Sequence, residues 1–292
     1  MSSLLQCLID SILLGGLYSL MAIGLSLGFG VTRIINFAHG EFIMLGGYGA
    51  FFASALLGLD PLIALPAVSA GVALVAFIVF ELCLKRVLRA PPINQILLLF
   101  GIGLILQNLA ALLWTGDARS VMTDYAMAAR EIGDLIIPEG RLLAFVAAAV
   151  LILALLWWLR RTELGRATRA VAENRDAAVL MGINVTLVYL LSFAINAAFG
   201  AATGVMASFL LTVTPFMGFH MLIKSFAIVV LGGLGSIVGT VVGAFMLALC
   251  ETVVAYYVPD GIGWAEGVAF VILLGALVVR PRGLFGQAVE IA

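Results

Sequence analysis

Charge is scarce in this chain, and that scarcity narrows its class first. Of 292 residues only 11% are charged against 64% hydrophobic, and the mean hydropathy is +1.21. Soluble domains carry about 25% charged and about 45–50% apolar residues. So thin a polar complement cannot cover an aqueous surface. Lipid is the expected solvent, and a polytopic α-helical membrane protein the expected class. A net charge of −1 excludes a nucleic-acid-binding surface as the organising feature. Lysine is nearly absent: only Lys85 and Lys224 occur, neither in a Gly-Lys-Ser/Thr sequence, so the chain carries no Walker A loop. Cys7, Cys83 and Cys250 form no Cys-x-x-Cys pair, and His39 and His220 share no ligand spacing. Neither a redox centre nor a metal site is indicated. Carboxylate clusters, a Ser-His-Asp arrangement and cofactor motifs are lacking too, which argues against an enzyme.

Long apolar runs are what the chain does have. Runs long enough to cross a bilayer fall at 4–27, 40–58, 61–82, 94–115, 142–160, 185–211, 237–256 and 263–279, predicting about eight transmembrane helices. The first lacks a basic n-region and is too long for a signal h-region, so it reads as a retained span. No polar stretch is long enough for an appended soluble domain, so 1–292 reads as one transmembrane unit. A further piece, "KSFAIVVLGGLGS" (224–236), ends in glycines too early for an ordinary span. It is expected to be broken or re-entrant, and buried in protein or lining a cavity.

Basic residues orient the bundle. Lys85, Arg86 and Arg89 lie in one connection, Arg160, Arg161, Arg166, Arg169 and Arg175 in or beside another, and Arg280 and Arg282 in the tail; all three are expected to be cytoplasmic. The acid-leaning connection 116–141 then faces outward. Parity between the 160–184 connection and the tail requires the glycine-broken segment to pass through the protein, and places the N-terminus outside. "LGGYGAF" (45–51) resembles "LGGLGSI" (231–237), a hint of internal repetition.

Three stretches carry polar chemistry. In "VTRIINFAHGEFIMLGGYGAFF" (31–52), Asn36, His39 and Glu41 are candidate gate or path residues. The plainer reading is a cytoplasmic turn, with Asn36 capping the next helix and Glu41 favouring its positive end. In "LGGLGSIVGTVVGAF" (231–245), Gly235, Gly239 and Gly243 recur every fourth residue, as expected of a close helix-packing face. Gly232 and Gly233 either join that packing or form a turn whose backbone lines the path. In "GRATRAVAENRDAAVLMGINV" (165–185), a helix over about 169–181 is expected to end at Gly182. It would place Ala170, Asn174, Ala177, Ala178 and Met181 on one small, nearly flat side, suited to docking in a partner's groove. Acids are expected only near span ends, with Asp10 and Glu251 there. Asn108 and Asn196 are expected to form interhelical hydrogen bonds.

Together these three stretches resemble the permease subunits of bacterial branched-chain amino acid ABC importers (LivH type), over essentially the whole chain. The "NFAHGEF" and "AVAENRDAAVLMGI" blocks are the most specific, whereas the glycine pattern also fits sugar-permease relatives. The resemblance implies an inner-membrane permease without a cofactor of its own. ATP would be bound by two cytoplasmic ATPase subunits, a second homologous permease would complete the pore, and a periplasmic binding protein would deliver substrate. It also implies that Glu173, Asn174, Ala177, Ala178 and Gly182 lie in the coupling loop, about 161–184, that docks in the ATPase. Family relatives also move urea and short amides. An ion-coupled secondary transporter is the rival on residue chemistry alone.

Overall fold

The computed structural model describes residues 2–280 and 283–286. Arg282 of the basic tail lies outside them. The elements are α1 (Ser2–Thr32), α2 (His39–Leu57) and α3 (Pro61–Val79), which continues through a π-helical turn (Phe80–Leu84) into α4 (Lys85–Val87). Next come α5 (Pro92–Trp114), α6 (Asp124–Met127), the hairpin β1 (Ala129–Ile132) and β2 (Leu135–Pro138), α7 (Glu139–Arg161), α8 (Glu163–Glu173) and α9 (Arg175–Leu180). The chain finishes with α10 (Val185–Leu210), α11 (Met217–Gly232), α12 (Ile237–Tyr257) and α13 (Gly261–Val279). Among the described residues seven helices are long and apolar enough to cross a bilayer, with α3 and α4 counted as one. They correspond to seven of the eight predicted spans, and the eighth, 263–279, coincides with the 19-residue α13. The protein is an all-α, multi-pass membrane protein, and the β-hairpin is a small addition in the 116–141 connection.

Turn chemistry sets several helix starts. Asp60 accepts from Leu62 N at 2.8 Å, with Pro61 at the first helical position of α3. Ser236 caps α12 by accepting from Gly239 N at 3.1 Å, and Asn184 caps α10 by accepting from Leu187 N at 3.1 Å.

Burial ranks the helices by depth in the bundle. The apolar window of α1 is 83% buried inside the protein, whereas those of α3, α5 and α7 are only 17–22% buried and lie at its periphery. At one end Gln6 exchanges hydrogen bonds with Ile136 (2.7 and 2.9 Å), which ties the start of α1 to the β-hairpin. At the other, α8, part of the arginine-rich connection, lies against the last turns of α1.

Two spans are interrupted, in opposite senses. After α1 ends at Thr32, residues 33–38 turn back into the bundle, with Arg33 at φ 58°. Helix α2 therefore starts at the depth of Met21, some eleven residues up α1. After α10 ends at the hairpin end, residues 211–216 re-enter there, bridging to Arg119 through Val213, and α11 begins at Met217. It then descends until Gly235 meets Gly30 near the end of α1. The broken segment thus passes through the protein, as parity requires, but its helix begins seven residues before 224.

The repeat lies elsewhere than "LGGYGAF" and "LGGLGSI". The first sits inside α2 and the second forms the turn between α11 and α12, so they are not equivalent elements. The equivalent units are α1–α2–α3 and α10–α11–α12. Each is a long helix, a re-entrant connection, a short helix and a further span, and the two units run in opposite directions. α1 packs along α12 as α10 packs along α3, and α2 lies on α10 as α11 lies on α1. Their short helices meet where Gly40 abuts the Gly218 carbonyl.

Candidate functional sites

The first polar centre forms where α2 begins. His39 is fully buried, with Nδ1 2.7 Å from Asn196 Oδ1 and Nε2 2.9 Å from the Met21 carbonyl. A neutral ring donates from Nε2–H to Met21 and accepts at Nδ1 from the Asn196 amide, turned so that its NH₂ faces the ring. Asn196 thus forms the expected interhelical bond. Asn108 does not: it donates to Leu104 O of its own helix and faces outward. Asn36 does not cap α2, whose N-cap is Ala38 without a side-chain bond; its Oδ1 accepts from Ala38 N at 3.1 Å in the turn before the helix, and it is buried, not at a surface. Glu41 is also buried, its Oε2 has no hydrogen-bond donor, and its carboxylate crowds Gly218. It lines a cavity of about 360 Å³ with Phe37, Phe100, Phe216, Phe219 and His220.

The glycine-rich stretch divides into two environments. Gly239 and Gly243 on α12 pack against Gly232 and Ile228 of α11, as a small-residue face should. Gly235 does not belong to that face. It precedes α12 at φ 81° and touches Gly30 of α1. Gly233, at φ 104°, is covered by Gly286, while Leu284 N and Phe285 N donate to the carbonyls of Leu231 and Gly232 (2.9 and 3.0 Å). The backbone of residues 232–233 is therefore closed by the tail.

The 165–185 stretch is two helices, not one helix over 169–181. Asn174 leaves the helical region (φ −150°, ψ 106°), ends α8 and caps α9 by accepting from Ala177 N at 3.0 Å. An Asn side chain that satisfies a free N–H makes this break favourable. Gly182, at φ 79°, closes α9 in the left-handed conformation that favours glycine. Glu173, Asn174, Ala177 and Gly182 are exposed. Ala178 is not: it is 3% exposed and packs in the core with Val171 and Val188. The apolar surface is instead Val179, Leu180 and Met181, at 54, 88 and 82% exposure.

A further centre joins residues of four helices. Lys224 on α11 sits 3.2 Å from Glu251 Oε1 on α12 and 3.3 Å from Glu266 Oε1 on α13. Tyr18 on α1 donates to Glu251 Oε2 at 2.5 Å and accepts from Lys224 at 3.0 Å. Glu251 lies near the end of α12, as expected, but is buried in the bundle at 7% exposure. A lysine within an apolar helix was a usable signal, since such groups are costly unless partnered. Its partners lie 27 and 42 residues away on other helices, which no spacing rule reveals. Asp10 is buried too, accepting from Tyr256 at 2.5 Å, with Arg141 at 3.5 Å.

Helices interrupted inside the bundle, polar groups held at that depth and an exposed helical hairpin at one end define a multi-pass membrane transport protein. A family model described as the permease component of a branched-chain amino acid transport system matches residues 7–277. The high-affinity branched-chain amino acid transport system permease protein BraD of Pseudomonas aeruginosa is 32% identical over 97% of this chain and 96% of its own. LivH of Escherichia coli, with the same description, is 32% identical over the same shares. LsrC of an Enterobacter species, an autoinducer 2 import system permease, is 35% identical over 46% of this chain and 41% of its own. The chain belongs to the branched-chain amino acid transport system permease family, and is a transport subunit of a multi-component system.

Proposed function

We propose that this chain is the membrane-embedded permease of an ATP-driven importer in a bacterial inner membrane, and that its substrates are branched-chain, hydrophobic amino acids. The observation that carries this reading is near-complete coverage in both directions against relatives whose names state that substrate. Two ATPase subunits would supply the energy that a chain without a Walker A loop cannot. A second, homologous permease and a periplasmic binding protein complete the assembly. The α8–α9 hairpin is the coupling loop on the cytoplasmic side. Glu173, Asn174, Ala177 and Gly182 shape its surface, Val179, Leu180 and Met181 insert into the ATPase, and buried Ala178 ties the tip to the bundle. Motion passes from α8 to the end of α1, and from α1 to the start of α2, where Asn36, His39 and Glu41 form the gate. Gly232 and Gly233, under the tail, anchor α11 during that motion.

Glu41 and Glu251 are buried, so an absence of buried acids no longer argues against ion coupling. The full-length relatives support the importer over that rival. The test is co-purification of the assembled complex from native membranes with wild type and Leu180→Asp, plus uptake of labelled leucine. Removing an apolar side chain from a buried contact costs about 1.5–3 kcal/mol, so ATPase affinity should fall by about tenfold or more, with the permease still in the membrane. Leucine uptake that persists without an ATPase and collapses with the ion gradient would reject this function.

A further inference from the structure

The cluster around Lys224 does more than hold helices together. A structural ion pair at membrane depth needs one acid for each base, because every uncompensated charge there costs at least about 2.5–3.5 kcal/mol. Here one cation, Lys224, faces two carboxylates. Glu251 is the structural partner, buried and bonded to Tyr18. Glu266 is surplus: its side chain is 53% exposed, and it faces a cavity of about 320 Å³ that Lys224 also lines. The rest of that cavity wall is mainly aliphatic, with Leu13, Leu14 and Leu17 of α1 opposite Ala144 and Ala207. The volume falls at the small end of ligand pockets, which typically pair apolar walls with a few placed polar groups. A larger cavity of about 640 Å³, beneath the β-hairpin, shares Arg141 and Leu210 with this one. The two cavities are therefore neighbours, with Arg141 and Leu210 between the hairpin end and the cluster.

We propose that this chamber binds the zwitterionic head and aliphatic side chain of an α-amino acid, with Glu266 taking the ammonium and Lys224 the carboxylate. Insertion between Lys224 and Glu266 replaces one ion pair with two, and matches the two opposite charges that every α-amino acid carries on one carbon. The leucines and alanines receive the side chain. Arg141, held only at 3.5 Å from Asp10 and half exposed, is the cation at the mouth that draws the carboxylate inward. The proposal rests on the reading of the chain as an amino-acid permease and names the site within it.

The test separates the two readings. In the assembled complex, with Cys7, Cys83 and Cys250 replaced by serine, Met221→Cys places one thiol on the chamber wall. Leucine should slow its alkylation about tenfold, equivalent to about 1.4 kcal/mol. 4-Methylpentanoate, which lacks the ammonium, should give no protection. Glu266→Gln should abolish protection by leucine and Glu266→Asp should restore part of it, with no change in thermal unfolding midpoint, which a purely structural role would move. Unprotected alkylation in a complex that still imports leucine overturns the chamber and leaves the permease reading intact. Protection that survives in Glu266→Gln overturns the charge assignment. A wild-type complex that neither imports leucine nor is protected by it overturns the permease reading and the chamber with it.

Discussion

At Gly204 a single hydrogen decides whether α10 can lie against α2. A methyl group there would run into the Ile43 carbonyl oxygen and stand 2.6 Å from the Gly47 nitrogen, both backbone atoms that cannot swing aside. Gly204→Ala must therefore spread the two helices, at about 1–3 kcal/mol. The expected result is a lower thermal unfolding midpoint in detergent, while Gly101→Ala, whose added methyl meets open space inside α5, does not lower it. His39 shows the same dependence on polar atoms. His39→Phe fits the aromatic volume but leaves the Asn196 side chain without its partner, while the Met21 carbonyl keeps Ser225. An orphaned buried group costs about 1–3 kcal/mol, so His39→Phe should lower the midpoint by more than His39→Gln, which can still hydrogen-bond. Equal losses would show that packing, not hydrogen bonding, fixes this contact.

At the scale of an element, the α8–α9 hairpin shows how a short side chain shapes a surface. Asn174→Ala removes the acceptor for Ala177 N, a loss worth about 0.5–2 kcal/mol at a helix N-cap. The disturbance should be local. Hydrogen exchange should speed up across residues 175–182 while α1 and α10 keep their protection, and a uniform increase would mean that the hairpin is integral to the bundle. How far the sequence foretold each element follows from what its pattern encodes. Apolar length marked the spans because lipid demands it, and parity revealed that α11 crosses. The break at Asn174 was missed because 169–181 also reads as one continuous helix. Gly235 was misplaced because fourfold spacing says nothing about where a helix begins. The Lys224–Glu251–Glu266 cluster was missed because each member is an isolated exception within its own apolar helix, and only the packing of α1, α11, α12 and α13 brings them together.

For the whole molecule, the two opposed units α1–α2–α3 and α10–α11–α12 tie sidedness to mechanism. One re-entrant connection dips from the arginine-rich end and the other from the hairpin end, and their short helices meet at Gly40 and Gly218. Such an arrangement suits alternation between two openings, since tilting one unit against the other opens one end as it closes the other. The sense of transport then depends on which end faces the cytoplasm. By the basic residues it is the end with Arg160, Arg161 and the α8–α9 hairpin. Single cysteines test this directly, in the background with the three native cysteines replaced. Leu180→Cys, on the exposed tip, should react with a membrane-impermeant maleimide only in inside-out vesicles. Asp134→Cys, in the turn of the β-hairpin, should react only in right-side-out vesicles. If both label from one face, α7 does not cross, and the opposed repeat loses its inverted sense. If each labels from the face opposite to that expected, the repeat stands but the hairpin proposed for coupling points away from any cytoplasmic ATPase. Labelling from the expected faces puts the 640 Å³ cavity beneath the β-hairpin on the outer side, with Arg141 between it and the 320 Å³ chamber.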